Sequence, residues 1–218
     1  AVLVTAIKIS KETKDVELFL KENVSYIGGG PFDDVYRMSV LSAEICTSII
    51  HESEQYANLS GWTSRRHLRY PTVDLPISLV PNLCFVFPCL HQTVLPAIAG
   101  VYDIPLRTLS LADVFIVKYD ASTGFGQTFL ELHEDGYPFS FNILLSRVDD
   151  FSGGGTYFEC MNQTIKPAQG ECLLHRGGTK HAGIEITQGR RYVLVGFVQN
   201  RTSDAIEELA CMEVESVS

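Results

Sequence analysis

The chain lacks several sequence patterns that are diagnostic of particular protein classes. None of its cysteines forms a C-x-x-C pair, so neither a zinc ribbon nor a thioredoxin-type motif is predicted. The longest apolar stretch, between Leu79 and Tyr102, is broken by prolines and polar residues, and we expect no membrane span because a span needs about 20 predominantly apolar residues. The G-x-S-x-G nucleophile elbow of many hydrolases is also absent.

Positive charge is scarce as well. The chain has 17 Lys and Arg residues against 26 Asp and Glu, which gives a formal net charge of −9. Binding to the phosphates of nucleic acids or to anionic membranes depends on basic surfaces, so we expect no nucleic-acid partner. The 218 residues are 45% hydrophobic and 20% charged, which suits one globular domain with a sizeable core.

The cysteines and asparagines bear on the cellular compartment. Six cysteines allow one or two disulfides, although buried free thiols are an equally open interpretation. Four of the six asparagines stand in N-x-[ST] sequons, where composition alone gives about one. This excess favours the secretory pathway or the lumen of the endoplasmic reticulum. The cysteines are Cys46, Cys84, Cys89, Cys160, Cys172 and Cys211, and the sequon asparagines are Asn23, Asn58, Asn162 and Asn200.

Hydrophobic periodicity predicts helices before strands. Residues 1–37 suggest one or two strands with loops, and Ser42 is a candidate N-cap for a helix that extends to about residue 57. We expect a loop or hairpin over 58–70 and a second helical region over 75–101. From Thr108 the pattern changes to short strands separated by glycine-rich turns. These strands are predicted at about 108–119, 128–134, 139–147, 156–160, 171–175, 181–187 and 191–199.

The predicted fold class is α+β, with a two-sheet jelly roll and helices packed on one sheet. A single domain over 1–218 would have a helical support at about 1–107 and the jelly-roll core at about 108–200. An acidic tail follows over 201–218, in which residues 205–212 suggest a short helix.

Two histidines and one aspartate have the spacing of a 2-His-1-carboxylate metal site. His133 and Asp135 are two residues apart on a predicted strand, so both side chains would point to one face, and His181 would arrive from another strand. Such a set holds Fe(II) on one side and leaves positions open for other ligands. Because H-x-D is common by chance, this remains a hypothesis, and Zn²⁺ would accept the same three residues.

Arg191 follows His181 by ten residues. It alternates with Val193 and Val195 on a predicted strand, so its side chain should point inward while Arg190 points outward. A buried Arg needs an anionic partner, and its forked guanidinium suits a carboxylate. That carboxylate would belong either to a 2-oxoglutarate cosubstrate or to an internal Asp or Glu.

The same region resembles a known family. The motifs FIVKY, LHEDGYPFSFNILLS, FSGGGTYFE and GECLLHRGGTKHAGIEITQGRRYVLVGF occur in order between Val114 and Val198. They resemble the catalytic core of the prolyl 4-hydroxylase and procollagen lysyl hydroxylase group of Fe(II)/2-oxoglutarate dioxygenases, which has a double-stranded β-helix. A looser resemblance precedes them, in VLSAEICTSIIHESEQYA and RRHLRYPTVDLP. Collagen-type prolyl hydroxylases usually carry Lys at the position of Arg191, so Arg is closer to the lysyl and oxygen-sensing branches.

The resemblance implies roles for individual residues. His133, Asp135 and His181 would bind iron, and Arg191 would bind the distal carboxylate of 2-oxoglutarate. Asn142 and Tyr119 would contact the cosubstrate, although the segment between Tyr119 and His133 is a few residues longer than the family pattern. His175 lacks a motif position, and we expect it to be a hydrogen-bonded histidine that supports the metal ligands from behind.

The implied activity is hydroxylation of an unactivated C–H with release of succinate and CO₂. It needs Fe(II), 2-oxoglutarate and O₂, with ascorbate as the expected reductant. A peptidyl prolyl or lysyl residue is the favoured substrate, and the segments 61–70 and 121–126 are candidate borders of a peptide groove. A small-molecule substrate and a non-catalytic metal-binding jelly roll are the alternatives. The oligomeric state does not follow from the sequence.

Overall fold

Two antiparallel sheets form the framework of the protein. The computed structural model describes residues 20–67, 69–124 and 126–201. The larger sheet has the order β1-β2-β10-β6-β12-β4-β3, with β7 paired to β12, and the smaller has the order β5-β11-β8-β9. The elements are β1 Val24–Gly28, β2 Val35–Ser39, α1 Ala43–Ser60, β3 Asp74–Pro76, α2 Val86–Val101, β4 Leu109–Asp120, β5 Leu130–His133, β6 Phe139–Leu144, β7 Phe151–Gly153, β8 Thr156–Phe158, β9 Gln163–Ile165, β10 Glu171–Arg176, β11 His181–Gly183 and β12 Ile186–Asn200.

Alternation along the central strands separates two apolar layers. On β6, Phe141 and Ile143 point toward the helices, while Asn142 and Leu144 point between the sheets. The outer layer joins α1, α2 and the larger sheet in one continuous core. The inner layer joins the two sheets and contains a cavity. The α+β jelly roll with helices on one sheet, predicted from the sequence, is therefore confirmed.

Helix α1 has the predicted start but a later end. The Ile45 N–H donates to Ser42 Oγ at 3.4 Å, which satisfies one unpaired amide of the first turn. The loop expected from residue 58 is wrong at its beginning, because the helix continues to Ser60. It ends where Gly61 adopts a φ of +80° and donates its N–H to Ala57 O at 2.8 Å.

The second predicted helical region is only partly helical. Residues 74–76 form β3 against β4, and two 3₁₀ turns, Ile77–Leu79 and Pro81–Leu83, precede α2. The prediction over 75–85 was wrong because a residue before a proline avoids the α conformation, which delays the helix past Pro76 and Pro81. The expectation that no stretch is long and apolar enough for a membrane span was wrong by length and composition, because Pro81–Val101 meets both conditions. The buried side chains of this stretch pack in the apolar layer between the helices and the larger sheet, as those of a core helix do in a globular domain.

Several strand boundaries differ from the predicted ones. The predicted strands 181–187 and 191–199 are instead β11, which ends at Gly183, and a long β12, which begins at Ile186. The three-residue strands β7 and β9 were missed because so short a run carries little periodicity. The prediction that one strand carries both His133 and Asp135 was wrong, since β5 ends at His133.

The other sequence-based expectations have mixed outcomes. Cys46, Cys84, Cys89, Cys160 and Cys172 are free thiols, whereas Cys211 and the helix expected over 205–212 lie outside the described residues. The four sequon asparagines are all exposed.

Candidate active site

The predicted metal ligands converge at one end of the cavity. His133 and His181 are cross-strand partners on β5 and β11, and their ring centroids are 4.3 Å apart. Asp135 follows β5 and is held by a hydrogen bond from its N–H to Gly177 O at 2.8 Å. Its Oδ1 lies 3.7 Å from His133 Nε2 and its Oδ2 lies 3.7 Å from His181 Nε2.

These distances suit one shared ion. The ligand atoms of the three residues all lie within 4.8 Å of one another, whereas bonds of about 2.0–2.2 Å to a common metal are typical of imidazole and carboxylate ligands. Among the residues that the structure describes, no second group of His, Cys, Asp or Glu has this arrangement. The donor set of two imidazoles and one carboxylate fits Fe(II) with open positions.

Backbone carbonyls orient both imidazoles. His133 Nδ1 donates to Glu131 O at 2.7 Å, and His181 Nδ1 donates to Thr179 O at 2.9 Å. In a neutral ring this leaves Nε2 unprotonated and turned toward Asp135. Burial and the neighbouring imidazoles of His175 and His133 lower the pKa of His181, and they outweigh the opposing effect of the Asp135 carboxylate. A neutral His181 offers the lone pair that a metal requires.

Arg191 lies in the same cavity, and within the described part of the chain it has no ionic partner. It is 2% exposed, and burial lowers the pKa of its guanidinium. Its guanidinium carbon lies 5.2 Å from the centre of the Tyr119 ring. The internal Asp or Glu considered as its alternative partner is therefore not found in the described part of the chain.

Arg190 shows the contrast between neighbouring residues of β12. Its side chain is half exposed, and Nε donates to Asp120 Oδ2 at 2.8 Å. The outward position predicted for Arg190 agrees with this geometry. The inward position predicted for Arg191 does too, because alternate residues of a strand face opposite sides.

Tyr119 and Asn142 both face the cavity. Tyr119 is the cross-strand partner of Arg191, and burial raises the pKa of its phenol, so the hydroxyl keeps its proton. A Cβ at Gly183 would lie 2.6 Å from Tyr119 Oη, so glycine makes room for this ring. Asn142 Oδ1 accepts from Thr156 Oγ1 at 3.5 Å, which leaves the Asn142 amide hydrogens available to a ligand.

Two more polar residues line the cavity beside the metal position. His175, expected as a supporting histidine, has its ring 4.5 Å from that of His181, and its Nδ1 donates to Arg176 O at 2.8 Å. Ser140 is its cross-strand partner and was missed. The sequence contained a signal for Ser140, because it is two residues before Asn142 and therefore on the same face of β6. The third residue of that face, Leu144, is apolar.

The segment before β3 also reaches the site. His67 lines the cavity and packs against Phe115, with ring centroids 4.7 Å apart and the rings tilted by 36°. The ring of Tyr70 lies 5.1 Å from that of His133. Arg66 pairs with Asp74 and Asp113 and so fixes this segment to the sheet. Sequence reasoning selected the segment but not His67, because a loop residue carries no periodicity that shows where it points.

Comparison with solved structures places this fold in one class. No protein-family model matches the chain. Its fold matches a Pseudomonas putida prolyl-4-hydroxylase, with a TM-score of 0.57 and 13% identity over 86% of this chain and 97% of that one. It also matches the 2-oxoglutarate complex of a viral collagen prolyl hydroxylase from Paramecium bursaria Chlorella virus-1, with a TM-score of 0.55 and 13% identity over 77% and 96%. The chain therefore has the jelly-roll fold of the 2-oxoglutarate–Fe(II) oxygenases.

Sequence comparison identifies the homologues more narrowly. The chain is 30% identical over 182 residues to human procollagen-lysine,2-oxoglutarate 5-dioxygenase 2, which covers 77% of this chain and 24% of that protein. It is 27% identical over 197 residues to mouse procollagen-lysine,2-oxoglutarate 5-dioxygenase 1, over 84% and 27%. Its homologues are thus procollagen lysine dioxygenases, in agreement with the resemblance seen in the motifs, and the chain spans about a quarter of their length.

Proposed function

We propose that this chain is a dioxygenase that uses Fe(II), 2-oxoglutarate and O₂ to hydroxylate an unactivated C–H. His133, Asp135 and His181 would hold the metal, which when bound supplies the oxidising chemistry of the reaction. Arg191 would pair with the distal carboxylate of 2-oxoglutarate, with the Tyr119 hydroxyl and the Asn142 amide as further donors.

The observation that carries this proposal is the unpaired guanidinium of Arg191. An ion buried without a partner costs several kcal/mol even after the surroundings relax. The protein keeps this charge in the cavity that also contains a facial set of metal ligands. A dicarboxylate that chelates the metal at one end and pairs with Arg191 at the other would compensate the charge and bury itself between the sheets.

The surrounding residues would position the cosubstrate and exclude water. Val117 and Val193 are cross-strand partners two residues from Tyr119 and Arg191, and both line the cavity. They provide an apolar surface along which the cosubstrate would lie. Such a surface would strengthen the ion pair to Arg191 by lowering the local dielectric.

We favour a peptidyl prolyl or lysyl residue as the substrate. The named relatives support this, since they are procollagen lysine dioxygenases and prolyl hydroxylases. The surface around Tyr70 supports it as well, because two grooves lined by Tyr70 both contain Arg69, and one of them also borders His133. Ascorbate is the reductant we expect to sustain turnover.

A small-molecule substrate is the second candidate. A solved carbocyclase of nogalamycin biosynthesis, SnoK, shares the fold, with a TM-score of 0.58 and 16% identity over 92% of this chain and 90% of that one. A non-catalytic metal-binding jelly roll is the third, and the unpaired Arg191 argues against it, because metal binding alone does not need a buried guanidinium.

The proposal is tested by anaerobic titration of Fe(II) and 2-oxoglutarate. Chelation should produce a metal-to-ligand charge-transfer band in the wild type but not in Arg191→Met at the same 2-oxoglutarate concentration. Aerobic assays with candidate substrates then identify the substrate class. A true substrate should gain about 16 Da in mass and stimulate succinate release. Absence of the band with saturating metal and cosubstrate contradicts the proposal.

A further inference from the structure

Ser140 and His175 form a polar pair that the proposed cofactor and cosubstrate do not use. They are cross-strand partners on β6 and β10, and each is 1% exposed. Both line the cavity that contains His133, Asp135 and His181. The next residues on the same face of these strands are Asn142 on β6 and Leu173 on β10. Neither carries a hydroxyl or an imidazole, so the pair differs in chemistry from the surface around it.

Neither side chain is satisfied within the described protein. Ser140 Oγ has no hydrogen-bond partner. His175 uses Nδ1 to donate to Arg176 O, so in the neutral ring Nε2 carries a lone pair, and no described residue donates to it. Buried polar atoms are almost always paired. The Ser140 hydroxyl can accept a hydrogen bond, and the His175 nitrogen in the neutral ring can only accept one. Because the two residues are cross-strand partners, a ligand that supplies hydrogen-bond donors would satisfy both.

The position of the pair within the cavity indicates which ligand this is. Strand register places Arg191 opposite Tyr119, then Val195 opposite Asn142, and then Phe197 opposite Ser140. The pair is therefore six residues along β12 from the guanidinium that would hold the far end of 2-oxoglutarate. Asn142 lies between them along the strands, so a cosubstrate anchored at Arg191 would occupy that part of the cavity and leave Ser140 and His175 to the substrate.

His175 is also distinct from the metal ligands. Its ring is oriented in the same way as those of His133 and His181, by a hydrogen bond from Nδ1 to a backbone carbonyl. It nevertheless falls outside the group whose ligand atoms lie within 4.8 Å of one another. His175 therefore lines the cavity beside the metal ligands without belonging to them.

We propose that Ser140 and His175 form a specificity subsite that binds a hydrogen-bond donor of the substrate, an amine, amide N–H or hydroxyl, next to the carbon that is hydroxylated. This inference rests on the proposed function. A site built to accept such a donor rejects an analogue that lacks it, because the buried acceptors then lose water without replacement. A prolyl side chain has no donor, so the subsite disfavours it.

Binding of blocked amino acids tests the subsite without turnover. The probes are the N-acetyl methylamides of lysine, 6-hydroxynorleucine, norleucine and proline, titrated calorimetrically into protein that contains Mn(II) and 2-oxoglutarate. We expect the lysine and 6-hydroxynorleucine probes to bind at least about tenfold more tightly than the norleucine and proline probes. The 6-hydroxynorleucine probe separates donor recognition from attraction of the lysine charge.

Substitutions assign the preference to the pair. Ser140→Ala and His175→Phe should each reduce the ratio of lysine to norleucine binding below about threefold, and His175→Gln, which keeps an acceptor, should preserve more of it. Ser110→Ala is the matched control, because Ser110 Oγ is also buried and unpartnered but does not line this cavity. Equal binding of the four probes by the wild type, including no binding of any, overturns the inference, as does an unchanged ratio in both variants. Failure of the proposed function would show separately, as absent 2-oxoglutarate binding in the same titrations.

Discussion

The guanidinium of Arg191 lies over the ring of Tyr119, 5.2 Å from its centre, and the two residues are direct cross-strand partners on β12 and β4. A cation over an aromatic face gains about 0.5–2 kcal/mol, which does not offset the loss of hydration of a buried guanidinium. The pair thus holds the charge in place and leaves it available to an anion.

Arg191→Met should stabilise the protein in the absence of 2-oxoglutarate. Removing an unpaired buried charge while keeping side-chain volume is expected to raise the free energy of unfolding by about 1–3 kcal/mol. With metal bound, 2-oxoglutarate at 100 times its Kd should raise the unfolding free energy of the wild type by about 2.7 kcal/mol. The variant should lose this increase. Denaturant unfolding with and without cosubstrate measures both.

Arg190→Met is the control for this experiment. Arg190 is half exposed and pairs with Asp120, so its loss should change stability by about 0–1 kcal/mol and leave the response to 2-oxoglutarate intact. Equal cosubstrate responses in the two variants would remove Arg191 from its proposed role.

His181→Ala should abolish metal-dependent turnover while the protein remains folded. Two ligands hold a divalent ion far less well than three, so the rise in melting temperature on addition of Mn(II) should disappear. His51→Ala, on the exposed side of α1, should keep it. A His181→Ala variant with wild-type turnover would refute the assignment of this ligand.

Gly154→Ala should weaken both the fold and 2-oxoglutarate binding. Gly154 has a φ of +65°, and an added Cβ would lie 2.9 Å from Phe151 Cε2 and 3.3 Å from Arg191 Cδ. The left-handed conformation costs a non-glycine residue about 1–2 kcal/mol, and the contact with Arg191 should displace the guanidinium and raise the KM for 2-oxoglutarate.

Gly124→Ala separates the two effects. Gly124 has a similar φ of +71° but open space around its Cα, so the change should cost only the conformational part and leave the KM unchanged. Identical KM values in the two alanine variants would show that Gly154 does not affect Arg191.

Glu54 should contribute stability that depends on pH. Burial raises the pKa of Glu54, but hydrogen bonds from Lys118 and Tyr192 outweigh burial and bring the pKa below its ordinary value. A lowered pKa means that the contribution is present above the unfolded value of about 4.3 and is lost as pH falls through the folded value. The wild type should therefore exceed Glu54→Gln in unfolding free energy more at pH 7 than at pH 3.

Glu159→Gln provides the reference for that comparison. Glu159 and Lys180 form an exposed pair at 3.7 Å, which should contribute about 0–1 kcal/mol, so the difference between wild type and Glu159→Gln should be small. If the difference between wild type and Glu54→Gln is the same at both pH values, the network around Glu54 does not carry this contribution.

Local patterns were sufficient for the jelly roll and for the inward direction of Arg191. Period-two alternation fixes which face a strand residue occupies, and the cap at Ser42 fixes where α1 starts. They were sufficient to select Asp135 but not to place its backbone, since it reaches the metal position from a turn held by Gly177 O and not from the strand of His133. A turn of this kind depends on a contact between distant segments, which sequence spacing alone does not encode.

The same limit explains the residues that were missed. His67 enters the cavity from a segment fixed by Arg66, Asp74 and Asp113, and this arrangement arises only when β3 pairs with β4. Ser140 needed only the strand register for its direction, but its lack of a partner became visible only with the side chains in place.

The carbonyls of Glu131, Arg176 and Thr179 that hold the three imidazoles are main-chain atoms, so ring orientation is insensitive to side-chain chemistry at those positions. Most side-chain replacements at these three positions should leave metal affinity intact. A one-residue insertion or deletion between Glu131 and His133, or between Thr179 and His181, would instead rotate a ring away from the ion. Variation in this protein is therefore expected to be permissive in residue identity around the metal and strict in chain length.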